Sequence, residues 1–442
     1  MTMKPSRPNL VFIVADDLGY ADLGCYGGRA PVSPVLDRLA AGGIRFTQGY
    51  ANSPVCSPTR FAMITGRYQY RLRGAAEEPI NSKSRGSATL GLPVEHPTLP
   101  SLLRNSGYRT ALVGKWHLGY PPHFGPLRSG YEEYFGPMSG GVDYFTHCAS
   151  TGAHDLWLGE EKHIEAGYLT DLLSQRAVGY VDHMAAQQKT SNAPFFLSLH
   201  YTAPHWPWET RDDEALAQEV KNNLFHLHGG NIHSYRRMIH HMDEGIGQLM
   251  EALRRNGQAD NTLVVFTSDN GGERFSDNWP LVGGKMDLTE GGIRVPWIAY
   301  WPAQIAPGGV SKQQCMTMDW SATFLDAAGA KAAPDCPLDG VSLLPVLRDA
   351  THRFPRPLHW RMNHRGQRAL RDGDWKYLRV DGNDYLFNIP SDERERANHA
   401  AREPQRLAAM RVAWEAWNAT MPTIPADATV SLGYSVKDMP QR

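Results

Sequence analysis

The stretch NLVFIVADD, residues 9–17, joins an uninterrupted apolar run to two adjacent carboxylates. A short continuous run rich in β-branched residues predicts a strand that is buried on both of its faces. Strands of this kind belong mainly to parallel sheets whose two faces are covered by helices. The acids that follow the strand then lie at the edge of the sheet where such folds bind their ligands.

Similar apolar runs alternate with helical stretches along the first three quarters of the chain. One predicted helix has Ser33 as its cap and Pro34 in its first turn, and another begins near Thr98. A long amphipathic helix is predicted over residues 234–255, ended by Asn256-Gly257. This alternation predicts an α/β fold with a large, mostly parallel (mixed) central sheet and helices on both faces.

The pattern changes after about residue 350, where PLHWRM, QRALRD, WKYLRV and DYLFNI are separated by polar turns. Short runs of this kind predict a smaller C-terminal antiparallel sheet, and residues 402–421 are expected to form a helix that packs on it. We therefore divide the chain into a catalytic domain, residues 1–350, and a C-terminal subdomain with an extended tail, residues 351–442.

Composition narrows the class of protein. The 442 residues include 45 basic and 46 acidic ones with no block of like charge, so neither a nucleic-acid partner nor a membrane partner is expected. The run NLVFIVA is short for the ~7–15-residue core of a signal peptide and lacks its cleavage site. Five irregularly spaced cysteines do not predict a disulfide framework. We therefore expect a cytoplasmic protein.

Polar side chains follow four of the predicted strands, at the edge where ligands bind in open α/β sheets. Each residue alone also suits an ordinary role as a turn, a helix cap or a solvated charge, but their joint occurrence favours a site. They are Asp16, Asp17, Lys115, His117, His205, Asp269 and Asn270.

Three of these side chains are carboxylates and one is an amide. Hard oxygen donors of this kind favour Ca²⁺ or Mg²⁺ over Zn²⁺. A zinc site is the weaker alternative, because the last two of five clustered histidines are expected to face away from the apolar stripe of their helix. The five are His226, His228, His233, His240 and His241.

The stretch NSPVCSPTRFAMITGRY, residues 52–68, places Cys56 where a helix is predicted to begin. Pro58 suits the first turn, and free N–H groups at a helix start favour an anion there. A thiolate is a soft ligand, however, whereas the predicted metal is hard. The combination makes chemical sense only if the sulfur is removed from residue 56.

The motif CSPTR, followed by FAMITGR, resembles the signature of the sulfatase family. Further matches run from about residue 8 to residue 390. They are NLVFIVADDLGYADLGCYG, YRTALVGKWHLG, APHWP, TSDNGG, the GGK of residues 283–285, and RDGDWKYL. The resemblance implies that a formylglycine-generating enzyme oxidises Cys56 to Cα-formylglycine, whose hydrated aldehyde is the nucleophile in this family. That enzyme reads the Cys, Pro and Arg positions of the motif.

The resemblance also implies a role for each matched position. Asp16, Asp17, Asp269 and Asn270 would hold a divalent cation, usually Ca²⁺ and alternatively Mg²⁺, together with an oxygen of the modified Cys56. Arg60 and Lys115 would stabilise the hydrated aldehyde, and Lys115 would also reach the sulfate. His117 would take a proton from the sulfated hemiacetal and so expel sulfate. His205 and Lys285 would bind sulfate and help to protonate the departing oxygen.

The resemblance implies hydrolysis of a small-molecule sulfate ester by an arylsulfatase-like enzyme. Hydrolysis of a phosphonate monoester or phosphodiester, and an inactive binder of sulfated ligands that keeps its thiol, are the alternatives. Oligomer formation is possible, and the sequence names no particular substrate. The candidates for the pocket rim are Asp143, His154, Trp157, Trp206 and Trp208.

Overall fold

The computed structural model describes residues 7–220, 224 and 229–432. Its strands are β1 (Asn9–Ala15), β2 (Ile44–Phe46), β3 (Gly49–Tyr50), β4 (Arg109–Gly114), β5 (Glu133–Pro137), β6 (Leu156–Leu158), β7 (Glu161–Lys162), β8 (Phe195–His200), β9 (Thr262–Ser268), β10 (Trp297–Tyr300), β11 (Gly309–Ser311), β12 (Cys315–Met316), β13 (Leu358–Arg361), β14 (Arg368–Asp372), β15 (Trp375–Val380) and β16 (Asn383–Asn388).

The helices in the described part of the chain alternate with these strands as far as β12. They are α1 (Pro34–Gly42), α2 (Cys56–Thr65), α3 (Leu99–Asn105), α4 (Leu169–Ser191), α5 (Glu214–Val220), α6 (Ile232–Arg255), α7 (Glu290–Ile293), α8 (Met318–Ala328), α9 (Leu344–Arg348) and α10 (Pro404–Asn418).

Ten strands form the central sheet in the order β11-β2-β10-β9-β1-β8-β4-β5-β6-β7. The five strands β9, β1, β8, β4 and β5 pair in parallel, whereas β10 is antiparallel to both of its neighbours. Successive residues of β1 face opposite layers. Ile13 joins a core with α1, α4 and α6, and Phe12 joins a core with α2, α3 and α8. The predicted mixed sheet with helices on both faces is confirmed.

The second sheet is antiparallel, in the order β13-β14-β15-β16. One of its faces packs on α10 through Met410 and Trp414. Its other face shares a core with the start of α2, where Trp360 lies in the same cluster as Cys56 and donates from Nε1 to the Ala51 carbonyl at 2.9 Å. The smaller C-terminal sheet with its helix is confirmed, and the domain boundary at residue 350 stays a prediction.

The predicted helix starts have different outcomes. Thr98 caps α3, and its hydroxyl accepts from the Ser101 amide in a reciprocal capping box. Ser33 occupies the N-cap position of α1, and Pro34 lies in its first turn, as predicted, but the Ser33 side chain makes no capping bond. Asp243 on α6 instead accepts from the first α1 amides, at 2.8 and 2.9 Å. A distant carboxylate thus satisfies these donors, and the local sequence of α1 does not show it.

The prediction for the histidines of α6 was wrong for His241. Its side chain is buried and meets the Tyr168 ring edge-on, with centroids 5.6 Å apart. His240 is half-buried and lies 3.5 Å from Glu244, one turn along the helix. His226 and His228 lie outside the described residues.

Among the described helices, none combines the length and the apolar character that crossing a membrane requires.

Candidate active site

The loops after β1 and β9 place acidic side chains next to one another. The two strands pair in parallel with Ala15 opposite Ser268, and the Asp269 amide donates to the Ala15 carbonyl at 3.1 Å. Equivalent ends of neighbouring parallel strands lie at one edge of the sheet. Asp16, Asp17 and Asp269 are therefore clustered, and one carboxylate oxygen of each lies within 4.8 Å of the others.

Three basic side chains surround these carboxylates. Lys115 follows β4 and places Nζ 2.5 Å from Asp16 Oδ2. Lys285 places Nζ 2.7 Å from Asp17 Oδ2. Arg60 donates from Nε to Asp269 Oδ2 at 3.0 Å, and its NH2 group lies 2.8 Å from the same oxygen. All of these groups are buried, and burial strengthens such pairs by lowering the local dielectric constant.

Oxygen atoms of this cluster suit a hard cation. Asp16 Oδ1 and Asn270 Oδ1 are buried without a hydrogen-bond partner in the described part of the chain, and such atoms are expensive to leave unsatisfied. Burial, and next the charge of Asp269, raise the pKa of Asp16 well above its ordinary value, although Lys115 and Arg60 oppose the shift. Carboxylate and amide oxygens are the ligands that Ca²⁺ and Mg²⁺ prefer, so the residues fit such an ion.

Cys56 is the first residue of α2 and is 1% exposed. Its Sγ atom lies within 4.8 Å of ligand atoms of Asp16 and His205. Burial raises the pKa of the thiol to about 11, against the opposing effect of Lys115 and Lys285. An unmodified thiol here is therefore protonated at neutral pH and is a poor nucleophile.

The sequence of α2 fixes where Cys56 and Arg60 lie. Thr59 Oγ1 accepts from the Ser53 amide at 2.9 Å and donates to the Ser53 carbonyl at 2.8 Å, which holds the chain before the helix. Arg60 comes four residues after Cys56, so the two side chains share one face of the helix. Gly66 ends the helix in the left-handed conformation, with φ +66°.

His117 and His205 each have one ring nitrogen fixed by a carbonyl. His117 Nε2 lies 2.7 Å from the Ile80 oxygen, so Nε2 carries the proton and Nδ1 is the basic atom. His205 Nδ1 lies 2.6 Å from the Trp206 oxygen, which leaves Nε2 to face Asp17 Oδ2 at 3.6 Å.

The pKa values of both histidines fall well below the ordinary range. Burial is the largest cause in each case. The second cause for His117 is Lys115, and for His205 it is Lys285. Each imidazole is therefore neutral until an anion enters the cavity and offsets these cations.

Backbone strain is concentrated at this cluster. Asp17 and His117 adopt positive φ angles of +64° and +59°, and Met286, directly after Lys285, has φ +76°. Such conformations are uncommon outside glycine and gather at functional sites, where the surrounding structure enforces them.

A glycine is required at position 140 because a Cβ atom there would lie 2.4 Å from His117 Cε1.

A cavity of about 570 Å³ opens above Cys56, His117 and His205. Of the predicted rim residues, Trp206 lines it. The other four have contacts elsewhere. Asp143 binds the amides of its own turn, His154 contacts the His163 carbonyl, Trp157 donates to Asp155, and Trp208 packs on Phe275.

Two segments lining the cavity carry no recognisable signal in the sequence. They are residues 79–83, which belong to no predicted strand or helix, and residues 429–432, in the predicted tail. Both reach the site through contacts between residues that are distant along the chain.

Buried cations and two histidines lie beside the acidic cluster, beneath an open cavity. This arrangement suits a hydrolase that acts on an anionic ester. The sulfatase family profile matches residues 8–330. The chain belongs to the sulfatase family, whose enzymes are sulfuric ester hydrolases.

Relatives with known names agree with this assignment. Rat N-acetylgalactosamine-6-sulfatase is 33% identical over 80% of this chain and 68% of its own length. Human arylsulfatase A is 34% identical over 79% of this chain and 69% of its own. The chain thus spans about two thirds of the length of these relatives.

Solved structures cover more of the chain. Ps i-CgsB, in complex with k-i-k-neocarrahexaose, has a TM-score of 0.83 and 33% identity, covering 93% of this chain and 92% of its own. Phosphonate monoester hydrolase of Agrobacterium radiobacter has a TM-score of 0.65 with 21% identity, covering 93% and 96%. At that identity the second likeness shows the fold alone.

Proposed function

We propose that this protein hydrolyses sulfate esters to an alcohol or phenol and inorganic sulfate, with Cys56 converted to formylglycine as the nucleophile. The supporting observation is that Cys56 Sγ lies within 4.8 Å of Asp16 and His205 at a position where the thiol pKa is about 11. A protonated thiol next to hard oxygen ligands offers neither a nucleophile nor a good ligand. An oxidised side chain with oxygen atoms offers both.

The cluster fits a divalent cation held by Asp16, Asp17, Asp269 and Asn270, for which Ca²⁺ is our choice over Mg²⁺. When bound, such an ion supplies Lewis-acid stabilisation of negative charge on oxygen. Without it, the three carboxylates are balanced by Arg60 and two lysines. With it, the site gains two positive charges, which matches an anionic substrate.

In this proposal Lys115 and Lys285 bind the sulfate group. In the present structure each ammonium contacts a carboxylate of the cluster, at 2.5 and 2.7 Å. Both charges also lower the pKa of the Cys56 thiol, which supports a role for them next to residue 56. Ammonium groups fixed before the substrate arrives stabilise charge that develops on a transferred group without further reorganisation.

The two histidines are suited to opposite proton transfers. His117 presents the unprotonated Nδ1, since its Nε2 donates to the Ile80 carbonyl, and so acts as the base. His205 can exchange a proton at Nε2 alone, because Nδ1 is held by Trp206. A bound sulfate ester raises the pKa of His205 by its negative charge, so that Nε2, with Lys285, protonates the departing oxygen.

We infer that a formylglycine-generating enzyme modifies Cys56 before the protein folds. Every residue of α2 is buried, and Cys56 and Arg60 are each 1% exposed. An enzyme that reads the CSPTR motif cannot reach side chains that are packed in this way. The motif is accessible only while this part of the chain is unfolded.

The test compares kcat/KM for 4-nitrophenyl sulfate and methyl 4-nitrophenyl phosphate, which share a leaving group. We expect the sulfate monoester to be the better substrate. A higher value for the phosphodiester would favour the alternative phosphodiester or phosphonate monoester hydrolase. Activity on neither ester, in protein carrying the modified residue, would contradict the proposed function.

A further inference from the structure

A segment of the C-terminal tail, residues 427–432, contributes to the cavity that holds Cys56. We name this segment the strap. Its residues Thr429, Val430, Ser431 and Leu432 line the cavity. The strap lies outside residues 8–330, which the family profile matches. The part of the chain that the profile matches therefore supplies the charged cluster, and the strap adds to the cavity from outside that part.

The strap is held in place by specific bonds to residues 77–79. The Glu78 amide donates to the Thr429 carbonyl at 2.9 Å, and the Ser431 amide donates to the Glu78 carbonyl at 3.0 Å. The Glu77 carboxylate accepts from the Thr429 amide at 3.1 Å and from the Thr429 hydroxyl. Ser431 Oγ donates to the Pro79 carbonyl at 3.0 Å. These bonds fix both the register and the side of the chain that faces the cavity.

Residues that follow this attachment contact the reacting groups. The Ile80 amide donates to Ser57 Oγ at 2.9 Å, next to Cys56. The Ile80 carbonyl holds His117 Nε2 at 2.7 Å. One short segment thus contacts the strap on one side and α2 with His117 on the other. The strap consequently has a defined position relative to residue 56.

The strap differs in chemistry from the cluster below it. Lysines and carboxylates surround Cys56, whereas the residues of the strap that line the cavity are uncharged, and one of them, Val430, is 37% exposed. A charged cluster suits the sulfate group, and an uncharged wall suits the remainder of the ester. We propose that the strap is a specificity-determining wall that limits the size of the alcohol or phenol in the ester. This inference rests on the proposed function.

The variant Val430→Trp enlarges this wall, and Val412→Trp is its control. Val412 is 61% exposed on α10 and does not line the cavity. The substrates are 4-nitrophenyl sulfate, with one ring, and 4-methylumbelliferyl sulfate, with two fused rings. Because a small difference in size within a pocket is worth about 10–200-fold in discrimination, Val430→Trp should lower kcat/KM for the two-ring ester by about tenfold to a hundredfold relative to the one-ring ester. Equal effects on both esters, or the same selectivity in Val412→Trp, would overturn the proposal.

A second readout does not depend on turnover. In the Cys56→Ala background, which cannot turn over, calorimetry measures the Kd values of 4-nitrophenyl sulfate and 4-methylumbelliferyl sulfate. Val430→Trp in this background should weaken binding of the two-ring ester more than binding of the one-ring ester, and equal weakening would count against the strap. If the esters bind with this selectivity but the modified wild-type protein cleaves neither of them, the result would contradict the proposed function while leaving the strap standing.

Discussion

The Nζ atom of Lys285 lies 2.7 Å from Asp17 Oδ2, with both side chains buried. Asp17 also belongs to the cluster of three carboxylates, so one acid connects the proposed cation site to a proposed sulfate-binding lysine. A buried ion pair repays its desolvation only when further partners satisfy both groups. The pair therefore favours a site that takes up a cation and an anion together.

The variants Asp17→Asn and Asp269→Asn should lose the bound cation, because each removes one of three negative charges that offset the dehydration of a hard ion. Elemental analysis of purified protein measures this directly, and the loss of electrostatic stabilisation should lower kcat by about 10²–10³-fold. Asp243→Asn is the matched control, since Asp243 is a buried carboxylate that caps α1 away from the site. Stoichiometric metal in both site variants would show that the cation is held elsewhere.

The variant His205→Ala should lose activity in proportion to the basicity of the leaving group. A general acid contributes about 10²–10⁴-fold when the departing oxygen is strongly basic, and less when it leaves easily. The loss should be modest with 4-nitrophenyl sulfate and larger with phenyl sulfate. The measurement is a plot of log kcat/KM against leaving-group pKa, in which His117→Ala should run parallel to the wild type. A parallel line for His205→Ala, with a steeper one for His117→Ala, would mean that the two roles are exchanged.

Features of the fold and the site that depend on a local sequence pattern are predicted well from the sequence. The strand Asn9–Ala15 and the acids after it follow from an apolar run and its end, and the CSPTR motif places Cys56 at the start of α2. Contacts between distant segments leave no such pattern. Asp243 caps α1 across more than 200 residues, and Val430 reaches the cavity through a bridge to Glu78. His241 is buried because Tyr168 packs on it, although the stripe of α6 predicted otherwise.

Folding stability should decrease as pH rises, in part through Glu209. Burial, and next the charge of Asp143, raise the pKa of Glu209 from 4.5 to about 9. The folded chain then binds more protons than the unfolded chain between these values, so the contribution is complete below the unfolded pKa and is lost as pH rises through the folded pKa. Between about pH 5 and about pH 9 the Tm should fall less steeply in Glu209→Gln than in wild type. Glu415→Gln, on an exposed part of α10, is the control, and identical slopes in all three proteins would contradict the prediction.

The variant Gly66→Ala should destabilise the fold more than Gly257→Ala. Both glycines have a left-handed backbone conformation, with φ +66° and +68°. A residue with a side chain destabilises this conformation by about 1–2 kcal/mol. A Cβ atom at Gly66 would also lie 2.8 Å from Leu338 Cδ2, whereas at Gly257 nothing lies within 4 Å. Overpacking adds about 1–3 kcal/mol. Urea denaturation measures the difference in the free energy of unfolding, and equal losses would show that the end of α2 accommodates the methyl group.

The central claim is that residue 56 acts as formylglycine, and the mass of the peptide containing it is the most direct test. Formylglycine is lighter than cysteine, so the fraction of modified chains can be read from the same preparations in which sulfate release is measured. We predict that the rate of sulfate release per chain rises in proportion to the lighter form, and that Cys56→Ala releases none while folding normally. Full activity in a preparation whose residue 56 is entirely cysteine would contradict the account.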